Sequence, residues 1–216
     1  MYGIDETTQS GDSGVIPVGI NENVILKSAK FEKLNEDKEP VLQYEFEDSS
    51  GGRLNHVMWQ VDEQRAKEYA PAEHKVRNEK MGVEPGDKVT PQHAVQMAYA
   101  DFNAYNKHIL NKIVSNETVI EKTKGATSYA DFAKRVVDLV DSVDTSQIKL
   151  RLKVVPNNKG YSSLPKKHYG GFVEHMSTKP SKLKFNDYEK QLIEQQNANA
   201  GDDPADTTVN VEDLDF

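Results

Sequence analysis

Alternating apolar and polar positions in the first third of the chain predict three β-strands. Residues 18–31 carry a central Val-Ile-Leu run, and residues 41–47 and 54–61 alternate between apolar and polar side chains. A period of two residues places each set on one face of a strand. Short polar connections, including an Asp-Ser-Ser-Gly-Gly turn, separate these stretches, so they predict an antiparallel meander.

The middle of the chain changes to the three- to four-residue period of helices. Thr90 is a favourable N-cap before Pro91, and an apolar stripe runs from there to Val114. A second helix is predicted to begin at Ser128, where Asp131 completes a capping-box pattern. The charged stretch before Thr90 predicts one short helix.

Strand patterning returns after the second helix. Residues 148–154 alternate aliphatic with basic side chains, so one face of this strand is predicted to be aliphatic and the other basic. A turn at 156–160 leads into a loop and a fifth strand within 161–176. Residues 181–196 predict a terminal helix.

This order of elements indicates a mainly β protein of the α+β class. It fits a five-stranded antiparallel OB-type barrel with helices between strands 3 and 4, and a generic α+β sandwich is the alternative. Residues 1–15 are predicted to be a disordered N-terminus, and 16–196 one OB-like domain with a helical insertion at 62–147. Residues 197–216 are predicted to be a disordered acidic tail.

The amino-acid composition excludes several kinds of site and several classes of protein. Apolar residues make up 36% of the chain and cysteine is absent, which excludes a disulfide framework, a thiolate zinc site and a cysteine nucleophile. The polar N-terminus is unlike a signal peptide, and no run approaches the roughly 18 apolar residues of a membrane helix. These features predict a soluble, cytoplasmic protein without a membrane partner.

The sequence contains no motif for catalysis. No two of the six histidines have the close helical spacing of a zinc site, and the glycines match neither phosphate-binding pattern. Carboxylate pairs are frequent in so charged a chain and indicate a solvated surface. We therefore predict that the protein is not an enzyme and has no catalytic residues, metal or cofactor.

The formal net charge of -8 conceals a segregation of charge along the chain. Residues 148–184 hold nine basic residues and one acid, Glu174, whereas residues 197–216 hold six acids and no base. A basic block beside an acidic tail is typical of proteins that bind polyanions. The alternative is a solvated, lysine-rich face without a ligand.

Aromatic residues are interspersed in the basic block, a combination typical of proteins that bind single strands. Cations follow the phosphates while bases stack on the rings. Tyr161 and Tyr169 are the preferred stacking candidates because Gly, Ser, Pro and Lys surround them, whereas burial in the core is the alternative for Phe172 and Trp59. The predicted nucleic-acid-binding residues, expected to share one trough, are Lys149, Arg151, Lys153, Lys159, Tyr161, Lys166, Lys167, His168, Tyr169 and Phe172, with Lys27, Lys30, Arg53 and Trp59 from the earlier strands.

The chain ends in the acidic segment VEDLDF. A terminal Phe ring and its carboxylate, preceded by acids, suit an apolar pocket with a basic rim on a partner protein. The same acids can compete with nucleic acid for the chain's own basic residues. The predicted partner-binding residues are Glu212, Asp213, Leu214, Asp215 and Phe216.

This tip resembles the acidic, Phe-terminated tip of bacterial and phage single-stranded DNA-binding proteins. Residues 18–24, the strand pair through Trp59, and residues 150–155 with the downstream Phe172 are similar to the phage members. The likeness covers the strands and the tail, whereas 62–147 match nothing in that family. The chain departs from bacterial members by its helical insertion and by lacking a Gln/Pro/Gly-rich linker.

The resemblance implies an OB fold that binds single-stranded DNA without sequence preference during phage DNA replication, recombination and repair. It also implies a tail that recruits replication proteins, such as a polymerase, helicase or primase, in the cytoplasm of an infected bacterium. Two alternatives stay open: a recombination mediator or strand-annealing protein, and a protein–protein adaptor or virion component that binds no nucleic acid.

Overall fold

The computed structural model describes residues 14–68, 90–166 and 170–199, which form a mixed α/β protein. The strands are β1 (Gly19–Glu32), β2 (Val41–Glu47), β3 (Arg53–Met58), β4 (Leu150–Pro156), β5 (Ser162–Ser163) and β6 (Val173–His175). The helices are α1 (63–68), α2 (Pro91–Leu110), α3 (Asn116–Thr123), α4 (Tyr129–Asp141) and α5 (Asp187–Asn199), with a 3₁₀ turn at Thr145–Gln147.

The long strand β1 joins the two halves of the sheet. From Ile25 onward it pairs antiparallel with β2, and between Gly19 and Val24 it pairs antiparallel with β4. Register shifts interrupt both ladders, and Asn23, at the shift in the β1–β4 ladder, has a φ of 58°, a left-handed value that asparagine tolerates. Such irregularities bend a strand, so β1 passes from one partner to the other.

The sheet order β3-β2-β1-β4-β5 forms a nearly closed, barrel-like antiparallel arrangement, because the two edge strands β3 and β5 lie against each other. β6 pairs with β4 beside β5. The predicted three-strand meander is confirmed, as are the helices between the third and fourth strands. The predicted fifth strand is divided into two short ones, β5 and β6.

Side-chain caps set the helix boundaries that the sequence predicted. The Thr90 hydroxyl accepts from the His93 N–H (3.1 Å), and the Ser128 hydroxyl accepts from the Asp131 N–H (3.1 Å). The Asp131 carboxylate in turn accepts from the N–H of Thr127 rather than of Ser128. The sequence did not predict α3, and α2 ends at Leu110 instead of reaching Val114.

Ordered structure extends beyond the predicted domain at both ends. Val15, placed in the disordered N-terminus by the sequence, forms a parallel bridge with Arg53, and the next residue, Ile16, is fully buried. At the other end, α5 continues to Asn199, past the predicted start of the tail at residue 197. Residues 1–13 and 200–216 lie outside the described residues.

Helices α2 and α4 pack on the barrel through hydrogen bonds from tyrosines. The Tyr44 hydroxyl, buried inside the sheet, donates to Asn106 Oδ1 on α2 (2.7 Å). The Tyr129 hydroxyl on α4 accepts from the Leu42 N–H (2.7 Å) and donates to the Met58 carbonyl. The helical insertion therefore shares one core with the strands.

His56 on β3 is expected to make the stability of this core depend on pH. Its ring stacks on Tyr105 with centroids 5.1 Å apart, and burial lowers the pKa of His56 from 6.5 to about 4. Between these values the unfolded chain binds more protons than the folded one, so stability rises with pH. We expect the free energy of unfolding to gain at most about 3 kcal/mol between pH 4 and 6.5 from this residue.

The measurement is urea unfolding of the wild type and of His56→Phe across that pH range. Carboxylates titrate equally in both proteins, so the difference between their pH profiles isolates His56. Parallel profiles would show that His56 does not titrate differently in the folded state.

Candidate nucleic-acid interface

The predicted basic face of β4 is covered, and two of its three cations are buried in ion pairs. Arg151 Nε donates to Glu22 Oε1 (2.8 Å), and its Nη1 donates to Glu174 Oε1 (3.1 Å) and to the Thr178 carbonyl (2.8 Å). Burial alone would raise the pKa of Glu174, but hydrogen bonds from Ser181, the Lys182 N–H and Arg151 lower it below its ordinary value. Arg151 is thus a structural cation.

Lys153 is buried even more completely, with 1% of its surface exposed. Its Nζ lies 2.9 Å from both carboxylate oxygens of Glu189 and 3.0 Å from the Lys184 carbonyl. Glu189 also accepts from the Asn186 N–H, while Asn186 Oδ1 accepts from the Glu189 N–H, a reciprocal cap that begins α5. The prediction that Arg151 and Lys153 face a DNA trough is therefore wrong; Lys149, beside them, is exposed.

Phe172, another predicted DNA contact, belongs to the core. It is fully buried and stacks on Tyr105, with ring centroids 4.6 Å apart, and packs against His108 at 4.8 Å. A base cannot reach its ring without unfolding this cluster. The alternative interpretation of Phe172 as a core residue is the one that the structure supports.

The three predicted cations on the earlier strands form a charge network on the outer face of the barrel. Lys27 and Arg53 pair with both Glu45 and Glu47, and Lys30 pairs with Glu45 (3.1 Å). Burial would raise the pKa of Glu45, but hydrogen bonds from Lys30 and Ser28 and the nearby lysines lower it. The hydrogen bond from Lys27 lowers the pKa of Glu47. Two carboxylates thus neutralise most of this patch.

Four of the remaining predicted contacts either lie far from the basic block in sequence or lie outside the described residues. Trp59, just after β3, is half-buried on a part of the chain remote from the basic block in sequence. Lys167, His168 and Tyr169 lie outside the described residues, as do all five predicted partner-binding residues, Glu212 to Phe216. The fourteen predicted contacts therefore do not form one trough.

An open groove does lie at the end of the barrel, between the β4–β5 hairpin and α5. We call it the hairpin groove, and its volume is about 250 Å³. Of the predicted contacts, Lys166 lines it and is exposed. Its lining consists of Val155, Pro156, Asn157, Asn158, Ser163, Leu164, Pro165, Lys166, Asn186, Tyr188, Glu189 and Leu192.

Tyr188 is the functional candidate that the sequence analysis missed. It stands in the first turn of α5, lines the hairpin groove and is 61% exposed, the most exposed large apolar or aromatic side chain among the described residues. Its position in a predicted terminal helix gave no sign of solvent exposure. The signal available was its place three residues after the Lys-Leu-Lys-Phe run at 182–185, which puts an aromatic ring close to two lysines in the sequence.

Two predicted contacts, Lys159 and Tyr161, lie in the tip of the β4–β5 hairpin, of which Asn157 and Asn158 line the groove. Asn157 Oδ1 accepts from the N–H groups of Lys159 (2.9 Å) and Tyr161 (3.0 Å), which folds the tip into a tight turn. Gly160 provides the left-handed φ of 84° that this turn requires, and its carbonyl accepts from Gln196 of α5 (2.6 Å). Lys159 is exposed and Tyr161 is half-buried.

A larger cavity, of about 460 Å³, lies among α2, α3 and the start of α4. Phe102, Tyr129 and Phe132 line it together with Lys107. This cavity is built from the insertion and contains none of the predicted contacts, so it is not part of the candidate interface.

In the described parts of the chain, no three His, Asp or Glu side chains come together as metal ligands, and no helix has the length and apolar character needed to cross a membrane. No protein-family model, curated protein or solved structure matches the chain, so a functional assignment depends on the charge and geometry of the hairpin groove.

Proposed function

We propose that this is a non-enzymatic protein that binds single-stranded DNA without sequence preference, and that the strand lies in the hairpin groove. The observation that carries the proposal is an exposed cation and an exposed ring, Lys166 and Tyr188, that line one groove; Lys159 and Tyr161 lie in the adjoining hairpin tip. Single strands are held by this combination of phosphate contacts and base stacking.

The charge around the hairpin groove favours a polyanion. The one acid in its lining, Glu189, is buried 2.9 Å from Lys153 Nζ, so its charge is compensated. Lys184, two residues before the groove-lining Asn186, is exposed and is a further cation close in sequence to the groove lining. Asn157 and Asn158 offer amide groups that can bond to phosphate or base edges.

The barrel supports the further proposal of an OB-type fold. In that fold, loops between strands at one end of a five-stranded barrel contribute to oligonucleotide binding. Here the β4–β5 turn borders the hairpin groove, and β1 pairs with both β2 and β4. The acidic tail, with Glu212 to Phe216 at its tip, is proposed to recruit replication proteins in a phage-infected cell.

Removing the tail tests the proposal. We expect a chain ending at Asn199, which keeps α5 complete, to bind oligo(dT) more tightly at low salt than the full chain, because six competing acids are gone. Three to four neutralised phosphates predict that affinity falls roughly 20- to 50-fold between about 50 and 200 mM salt. Fluorescence anisotropy of a labelled oligonucleotide measures both effects.

Double-stranded DNA of equal length is the control, and an annealing assay with complementary strands separates coating from strand pairing. Acceleration of annealing would favour the recombination-mediator alternative. If neither chain binds oligo(dT) at low salt, single-strand binding is refuted and the adaptor alternative is favoured.

A further inference from the structure

Helix α2, part of the insertion that resembles nothing in the DNA-binding family, contacts the segment that carries Lys166. The buried Tyr105 hydroxyl donates to the Pro165 carbonyl at 2.9 Å. Pro165 and Lys166 both line the hairpin groove, and Pro165 immediately precedes Lys166. The hydrogen bond therefore fixes the peptide group between Pro165 and Lys166.

The same helix holds the other end of this segment. The Phe172 ring stacks on Tyr105, and the Phe172 N–H donates to His108 Nε2 at 3.4 Å. Tyr105 and His108 are three residues apart and thus lie on one face of α2. Residues 167–169, between the two attachment points, lie outside the described residues.

Helix α2 is itself fixed to the interior of the barrel. Asn106, between the two anchoring residues, accepts from the Tyr44 hydroxyl (2.7 Å) and donates to the Phe102 carbonyl (2.8 Å). On its other side the Tyr105 ring stacks on His56 of β3. The anchors thus connect the Lys166 segment to β2 and β3.

We propose that Tyr105 and His108 are positioning residues for DNA binding: by holding Pro165 and Phe172, they fix Lys166 at the edge of the hairpin groove. This inference rests on the proposed function. The helical insertion thereby has a role in binding: α2 positions a residue of the hairpin groove without itself contacting the DNA. A cation held in place contacts a phosphate more effectively than one on a free segment, because less freedom is lost on binding.

A spin label at position 166 tests the anchoring without DNA. The chain has no cysteine, so Lys166→Cys provides a single attachment site in the full-length protein. We expect Tyr105→Phe, which keeps the ring and removes the hydroxyl, to sharpen the nitroxide spectrum at this position. The same label at Lys134→Cys, exposed on α4, is the matched control and should not change.

Oligo(dT) binding at low salt tests the functional consequence. We expect Tyr105→Phe to lower the affinity of the full chain by up to roughly 10-fold, because the segment must then be ordered on binding and the strength of one neutral hydrogen bond limits that cost. In a Lys166→Ala background it should cause almost no further loss, because the two residues act through one contact. His108→Leu, which removes the acceptor for Phe172, is the second variant and should behave in the same way.

An unchanged spectrum at position 166 in both variants would overturn the proposal. An equal loss of affinity with and without Lys166 would also overturn it, since a general loss of structure acts in either background. If the spectrum sharpens but Lys166→Ala binds oligo(dT) as tightly as the wild type, Lys166 is not a DNA contact and the positioning role is overturned, whereas single-strand binding itself stands.

Discussion

Replacing Tyr188 and Tyr161 together with alanine should weaken oligo(dT) binding roughly 30-fold or more. Each base stacked on an aromatic side chain contributes about 1–3 kcal/mol; Tyr188 lines the hairpin groove, and Tyr161 lies in the adjoining hairpin tip. Tyr188→Ala alone is the cleaner variant, because its ring is 61% exposed and its loss leaves no cavity. Fluorescence anisotropy at fixed low salt measures the change.

Tyr99→Ala is the matched control for this prediction. Tyr99 is also exposed, at 41%, but stands on α2, where its hydroxyl donates to Glu63. We expect this variant to bind oligo(dT) like the wild type. Equal losses from Tyr99→Ala and Tyr188→Ala, or no loss from the double variant, would contradict stacking in the hairpin groove.

Breaking the buried ion pair that attaches α5 to the barrel should be the most destabilising single change. Glu189→Ala leaves Lys153, which is 1% exposed, without its carboxylate partner. An uncompensated buried charge costs about 3–5 kcal/mol. For a protein of this size, that lowers the melting temperature by roughly 6–20 °C. Thermal and urea unfolding measure the loss.

The double variant Lys153→Met with Glu189→Leu should recover most of the lost stability, because well-packed apolar residues replace buried ion pairs with little cost. Asp187→Ala is the control within the same helix turn: its exposed pair with Lys190 should contribute about 1 kcal/mol or less. If Glu189→Ala unfolds like the wild type, α5 is not held to β4 by this pair.

Local patterns in the sequence predicted the strands and most helices because the interactions that form these elements are local. Leu42, Tyr44 and Phe46 alternate along β2, and all three are fully buried. Thr90 and Ser128 are residue types that favour the N-cap position, and in the structure each hydroxyl accepts a hydrogen bond from the N–H three residues further on. The eight-residue helix α3 was missed, since a short helix leaves too little periodicity to recognise.

The candidate site was predicted less well, because charge partners far apart in the sequence are not visible in local patterns. On β4 the alternation of aliphatic and basic residues is real, but strand alternation does not show what covers the second face. Glu22 lies 129 residues before Arg151, and Glu189 lies 36 residues after Lys153. Both cations were therefore predicted to be free for phosphate.

The sequence by itself determined the order of the strands, the caps of two helices and the separation of a basic block from an acidic end. These depend on side chains a few residues apart, whose spacing is fixed by backbone geometry. Only the tertiary structure decided which cations face solvent and which rings can receive a base. That choice depends on distant segments meeting: α5 covers Lys153 with Glu189, and the same helix brings Tyr188 to Lys166.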